Sequence, residues 1–202
     1  EMVATTKLRR FQDRATASRP YAMEISGLVG RLAAVLGDDV ADRPLFRERQ
    51  GNKSLVLVIS SDRGLCGAYN SNLLRSLEAW RAERKDRELS YFVYGRKAFT
   101  YMNKRGFPVE RFLTDPPLES IDYRTATITA RMLVREFLNG DYADVWMLYT
   151  AFESMASYVP TWLRFLPIEA ASLVQAEGAP KDAGGDAADV ILEPDRGTVF
   201  DQ

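Results

Sequence analysis

The sequence predicts an α/β fold, with a mostly parallel sheet covered by helices on both faces and a long N-terminal coiled-coil helix in front of it. Three observations carry this. Leu55 to Ile59 is an unbroken apolar run followed by a glycine-containing turn and then a helical pattern, Leu73, Leu77 and Trp80. Strand and helix patterns then alternate along the chain, which is how a parallel sheet with crossover helices is written. The first 36 residues instead repeat an apolar position every three or four residues.

That repeat runs through Leu8, Phe11, Ala15, Ser18, Ala22, Ile25, Val29, Leu32 and Leu36, a heptad seam sustained for more than four heptads. A helix from Val3 to Leu36 would be roughly 50 Å long at about 1.5 Å per residue, more than the diameter of a domain this size. The seam therefore calls for a second helix, and the small residues at its middle let that helix approach closely. Pro20 removes one hydrogen bond inside the repeat and allows a kink or two consecutive helices. Lys7, Arg9, Arg10, Arg14 and Arg19 face only Glu1 and Asp13 in the first twenty residues. This local positive excess is either a solvated face or a fit to an acidic partner.

Residues 37–54 are polar, contain Pro44 and Gly51, and read as a linker. The α/β domain is expected over 55–192. Its first strand is Leu55 to Ile59, which lacks alternation and suits burial on both faces. Helix Asn72 to Arg84 follows, with Asn70 or Ser71 as cap, then strand Glu88 to Tyr94, helix Ala98 to Lys104 stopped by Gly106, and strand Val109 to Leu113. A loop with Pro116-Pro117 leads to helix Tyr123 to Asn139, in which Ile128, Met132, Val134 or Arg135, and Leu138 follow the helical period. Val145 to Tyr149 is a further buried strand, and Trp162 to Ile168 an edge or antiparallel one. Residues 177–189, rich in Ala, Gly and Asp, read as a mobile loop, and 193–202 as the start of another element, so that both ends of the sequence look cut.

Composition narrows the chemistry. The 202 residues contain 27 basic and 28 acidic side chains, which gives the chain as a whole no electrostatic reason to seek nucleic acid. No apolar run approaches the roughly 18 residues that insert into a bilayer. The single Cys excludes an internal disulfide and fits a reducing compartment. Histidine is absent, which removes serine triads, Cys–His pairs and most zinc sites. Asp38-Asp39 and Glu119/Asp122 remain as carboxylate candidates, both in polar, loop-like surroundings where solvated carboxylates are the ordinary explanation.

The turn after the first strand, Ser60 to Asn70, invites a nucleotide reading. A Walker loop needs Gly-Lys followed by Ser or Thr, but Gly67 is followed by Ala68 and Tyr69. A dinucleotide loop needs three glycines, and only Gly64 and Gly67 are present. Cys66, with no imidazole to activate it, is expected to be a small packing residue. No cofactor and no metal is expected.

The string Ser61-Asp62-Arg63-Gly64-Leu65-Cys66-Gly67, with Asn70, resembles the hallmark of the gamma subunit of F-type ATP synthases, the central rotor shaft. Gly95-Arg96-Lys97 is similar to that family's Gly-x-Lys segment. Ser18-Arg19-Pro20-Tyr21-Ala22, Phe152, Pro160-Thr161, Leu166-Pro167 and Glu193-Pro194-Asp195 follow in the family's order. The chain departs from the family at Thr150-Ala151, Tyr158-Val159 and Ala98, where Asn-Lys, a glutamine and a glycine are common, as in a divergent copy.

The resemblance implies a Rossmann-like domain between two shaft helices wound into an antiparallel coiled coil inside the alpha/beta hexamer. Residues 1–36 would be one shaft helix and 193–202 the start of the other. It further implies a mechanical role, coupling ion translocation to ATP synthesis by rotation, with no catalytic residue of the subunit's own. Partners would be the alpha, beta and epsilon subunits and the membrane c-ring, at the cytoplasmic face of a bacterial plasma membrane. Lys7, Arg9, Arg10 and Arg14 are the candidate hexamer contacts. Asp62, Arg63, Gly64, Leu65, Cys66, Gly67, Asn70, Gly95, Arg96 and Lys97 are the candidate rotor-subunit interface. The alternative is a Rossmann-like nucleotide-binding enzyme that uses the Gly64–Gly67 turn.

Overall fold

The computed structural model describes residues 2–36, 42–154 and 157–169. The expected loop at 177–189, the apolar stretch Val190–Leu192, the segment 193–202 and Asp38-Asp39 lie outside the described residues. The chain divides into two compact units, one holding residues 1–43 with 169–202 and the other Pro44–Ile168.

In the first unit, α1 is one helix from Met2 to Leu36 that continues through Pro20. The ring there costs the Thr16 carbonyl its intrahelical partner, yet the helix is not divided into two. Along the seam, Phe11 and Ile25 are each 43% exposed, Ala22 is exposed and Val29 half-buried. The side chains of Leu8, Ala15, Ser18, Leu32 and Leu36 lie outside those described. Tyr21, Met23 and Leu28 are exposed as well, so apolar surface extends beyond the seam.

The second unit contains β1 (Lys53–Ile59), α2 (Tyr69–Ala82), β2 (Glu88–Tyr94), α3 (Arg96–Lys104), β3 (Val109–Leu113), α4 (Tyr123–Leu138), β4 (Asp144–Ser154) and β5 (Ser157–Leu166). The five strands form one sheet in the order β3-β2-β1-β4-β5. β1 runs parallel to β2 and β4, β2 parallel to β3, and β5 antiparallel to β4. The expected mixed α/β architecture is thus present. The order reverses between β1 and β4, as it does in doubly wound sheets.

The reversal puts helices on both faces. Val56, Val58, Tyr91 and Val93 pack with Leu73, Leu77 and Trp80 of α2 and Ala98 and Met102 of α3. Alternate residues of the same strands, Leu55, Leu57, Phe92 and Tyr94, pack with Leu133 and Phe137 of α4. Successive strand residues point to opposite faces, so the unbroken apolar run of β1 supplies both cores. Trp80 of α2 stacks on Trp162 of β5 with ring centres 4.4 Å apart and meets Trp146 of β4 edge-on at 5.6 Å, which ties the antiparallel edge to α2.

Two sequence expectations need correction. The last hairpin is longer than Val145–Tyr149 and Trp162–Ile168: β4 continues to Ser154 and β5 begins at Ser157, with Thr150 opposite Pro160 and Phe152 opposite Tyr158. Proline is tolerated there because β5 is an edge strand. In α4 the buried face is Thr129, Leu133 and Phe137, whereas Ile128 is 58% exposed and Leu138 exposed. Thr129 can be buried because its hydroxyl bonds the Thr125 carbonyl at 3.0 Å and the Tyr94 hydroxyl at 2.8 Å. Leu133→Ala should therefore cost about 2–5 kcal/mol through the cavity it leaves, and Ile128→Ala no more than about 0.5 kcal/mol. Urea unfolding of the two variants measures this, and equal costs would contradict the assigned face.

Candidate functional site

The hallmark turn sits at the carboxyl ends of β1 and β2. The structure brings its residues together with Gly95-Arg96-Lys97, 25 or more residues downstream. Ser60 N–H donates to the Tyr94 carbonyl at 2.9 Å, and Lys97 N–H to the Ser61 carbonyl at 3.1 Å. Asp62 Oδ1 accepts from Arg96 N–H at 3.0 Å, placing a carboxylate on the first turn of α3, where it meets an unpaired amide and the positive end of the helix dipole. Ser60 Oγ, almost wholly buried, accepts from Ala98 N–H at 2.9 Å. The departure at Ala98 therefore lies inside this contact, buried against the sheet.

A second set of bonds closes the turn on itself. Asn70 Oδ1 accepts from Ser61 N–H at 3.2 Å, and Asn70 Nδ2 donates to Ser61 Oγ at 2.8 Å and to Cys66 Sγ at 3.0 Å. Ser61 Oγ in turn donates to the Arg63 carbonyl at 2.6 Å. Asn70 is therefore the turn's internal brace and not the cap of α2. The cap position is Ala68, with no side-chain bond, and Ser71 Oγ donates back to the Ala68 carbonyl.

Glycine is required most strictly at Gly95. Its φ is +91°, and a Cβ built there would overlap the Ser60 carbonyl and lie 2.5 Å from Ser60 Oγ. In the turn itself the left-handed residues are Leu65 (φ 63°) and Gly67 (φ 56°), while Gly64 is the residue that Lys97 Nζ approaches, 3.2 Å from where a Cβ would stand. This backbone throws Leu65 and Cys66 outward, and both are exposed. The packing role expected for Cys66 is wrong: a side chain at the tip of a left-handed turn has nothing to pack against. Arg63, Arg96 and Lys97 are the site's cations, and all three are exposed.

Of the remaining candidates, Asp122 is the cap of α4. Thr125 N–H and Thr125 Oγ each donate to its Oδ1 at 2.8 Å, and the backbone bond first, then the hydroxyl, holds its carboxyl below the ordinary aspartate value. Arg9, Arg10 and Arg14 are exposed on α1, in the other unit, and the Lys7 side chain lies outside those described. Among the described residues no cluster of three or more acidic or Cys side chains is placed to hold a metal ion, and no helix is long and apolar enough to cross a membrane. Ser60 and Ser61 belong to the turn that the sequence singles out, but their bonds to the start of α3 were not read from it; polar side chains directly after a buried apolar run are the one visible sign of that role.

The unit is thus a doubly wound α/β domain whose first strand-to-helix turn is bonded to the next one. The family follows from comparison: a family model described as ATP synthase matches residues 1–202. The ATP synthase gamma chain of Geotalea uraniireducens is 32% identical over 204 residues, covering 100% of this chain and 67% of the relative. That of Aquifex aeolicus is 36% identical over 172 residues, covering 84% of this chain and 58% of the relative. Among solved structures, a chain from the Tetrahymena thermophila mitochondrial ATP synthase central stalk and c-ring superposes with a TM-score of 0.59. At 22% identity, over 82% of this chain and 70% of that one, it shows the shared fold. The chain belongs to the ATP synthase gamma-chain family and spans two thirds or less of the length of these curated relatives.

Replacing Gly95 by Ala should cost about 3 kcal/mol or more, combining left-handed strain with overlap on the Ser60 backbone. Gly67→Ala, with nothing within 4 Å of the added methyl, should cost only about 1–2 kcal/mol. Thermal and urea unfolding of the pair measures the difference, and equal losses would contradict the close contact.

Proposed function

We propose that this chain is the central rotor subunit of an F-type ATP synthase, transmitting rotation between the membrane ion channel and the alpha/beta hexamer without a catalytic residue of its own. The observation that carries this reading, beyond family membership, is α1: 35 helical residues with Phe11, Tyr21, Met23, Ile25 and Leu28 all exposed. Apolar surface on that scale requires a partner. A second helix wound against the seam of α1 as a coiled coil supplies it, and the pair makes an axle.

An axle works by asymmetry. Turning inside a ring, it presents a different face to each nucleotide site and favours a different conformation there. Each 1.4 kcal/mol of differential contact changes a site's equilibrium about tenfold. Lys7, Arg9, Arg10 and Arg14 contact the hexamer in this reading, by attraction to acidic surface on the ring. The unit Pro44–Ile168 faces the epsilon subunit and the c-ring through Asp62, Arg63, Arg96 and Lys97. The complex lies at the cytoplasmic face of a bacterial plasma membrane, with this chain peripheral to it.

Reversing the charge of Arg9, Arg10 and Arg14 together to Glu in the full-length subunit should weaken its assembly with alpha and beta or slow ATP hydrolysis by the complex. The thermal transition of the α/β unit should not change. Unaltered hydrolysis in the reconstituted complex would remove these residues from the contact.

A further inference from the structure

At the end of the sheet opposite the hallmark turn, the C-terminus of α2, the start of β2 and Pro108 enclose a groove of about 520 Å³. Four cations line it, Arg81, Arg84, Lys85 and Arg87, against the carboxylates Glu78 and Glu88. Glu78 is already engaged, accepting from Tyr101 Oη at 3.0 Å and lying 3.9 and 3.8 Å from Arg81 and Arg105. Arg87 is held by Asp144 at 2.7 Å and by Ser54 at 3.2 Å. Lys85 is exposed and forms no ion pair among the described residues, and Arg84 uses Nη1 alone for its bonds to the Trp80 carbonyl and Glu83.

The groove also reaches Tyr91 of β2. This side chain is fully buried, and its hydroxyl has no hydrogen-bond partner among the described residues. A buried hydroxyl left unpaired is costly, and phenylalanine would fill the same place without that cost. Burial pushes the phenol up to about 12, with Arg81 pulling it down and Glu78 raising it, so at neutral pH the group is a proton donor. An unused O–H donor beside guanidinium and ammonium groups is the donor set that oxyanions recognise.

We propose that this groove binds a phosphate-class oxyanion, with Lys85, Arg81 and Arg84 supplying charge and the Tyr91 hydroxyl a directed hydrogen bond. The inference does not depend on the rotor reading. A small anion is favoured over an acidic protein segment because the unpaired donor is buried, so that the ligand must enter the groove and not lie across its mouth.

The test is a calorimetric titration of the full chain with orthophosphate and pyrophosphate, against sodium chloride at matched ionic strength. Pyrophosphate should bind saturably and raise the thermal transition. Tyr91→Phe and Lys85→Gln should each weaken binding roughly tenfold. Without anion, Tyr91→Phe should unfold at or above the wild-type temperature, since it only removes an unpaired hydroxyl. No saturable heat, an effect that chloride reproduces, or unchanged affinity in Lys85→Gln would overturn the assignment. So would a glutamate-rich peptide binding where pyrophosphate does not, which would give the groove to a protein partner. Should Tyr91→Phe fail to fold, Lys85→Gln on the surface decides alone.

Discussion

The close passage of Gly95 over Ser60 is the constraint on which the rest of the α/β unit depends. Two parallel strands end side by side, and each must turn sharply into a helix at the same level of the sheet. Without a side chain at Gly95 the second turn lies directly on the first. The polar groups left over at the ends of β1 and β2 then find each other: Ser60 and Ser61 take the amides of Ala98 and Lys97, and Asp62 takes that of Arg96. In a nucleotide-binding sheet the corresponding amides point outward to a phosphate. Here the start of α3 is capped by the chain's own carboxylate and hydroxyl.

This arrangement ties two neighbouring strand ends to each other. The turn is braced at both ends, by Asn70 within it and by the Gly95 segment across from it, which links β1, β2, α2 and α3 through one set of hydrogen bonds. The edge of the sheet is held in the same spirit. Trp80, Trp146 and Trp162 join α2 to the β4–β5 hairpin, with the Arg84 guanidinium over Trp80 at 4.2 Å and Trp162 Nε1 bonded to Ser76. Such clusters combine large buried area with directional contacts.

Much of the fold was legible because β1 is written without ambiguity. Five consecutive apolar residues before a glycine turn define a strand buried on both faces, and β2 and β3 were readable at their observed limits. The face of α4 was not, because Ile128 and Met132 are more apolar than Thr129 and follow nearly the same period. The Thr125 carbonyl and the hydroxyl of Tyr94, the latter contributed by a strand 35 residues away, make Thr129 a core residue. The length of the last hairpin was hidden by Pro160, whose place on an edge strand is a fact of tertiary structure. The hallmark string was legible through its family resemblance, but its work was not. Cys66 looked like a packing residue, and the left-handed backbone at Leu65 and Gly67 that exposes it has no signature beyond one glycine. The Tyr91 groove left no trace, since its residues come from a helix end, a strand and a loop.

The amides and side chains of the glycine turn are spent on bonds within the chain, which leaves the turn unsuited to cradle a ligand. Amide chemical shifts of Ser61, Asn70, Arg96 and Lys97, followed while the full chain is titrated with magnesium-ATP and then with NAD, test it most directly. No saturable change is expected at any of the four. Saturable shifts at micromolar ligand, abolished by Gly67→Trp, would contradict it.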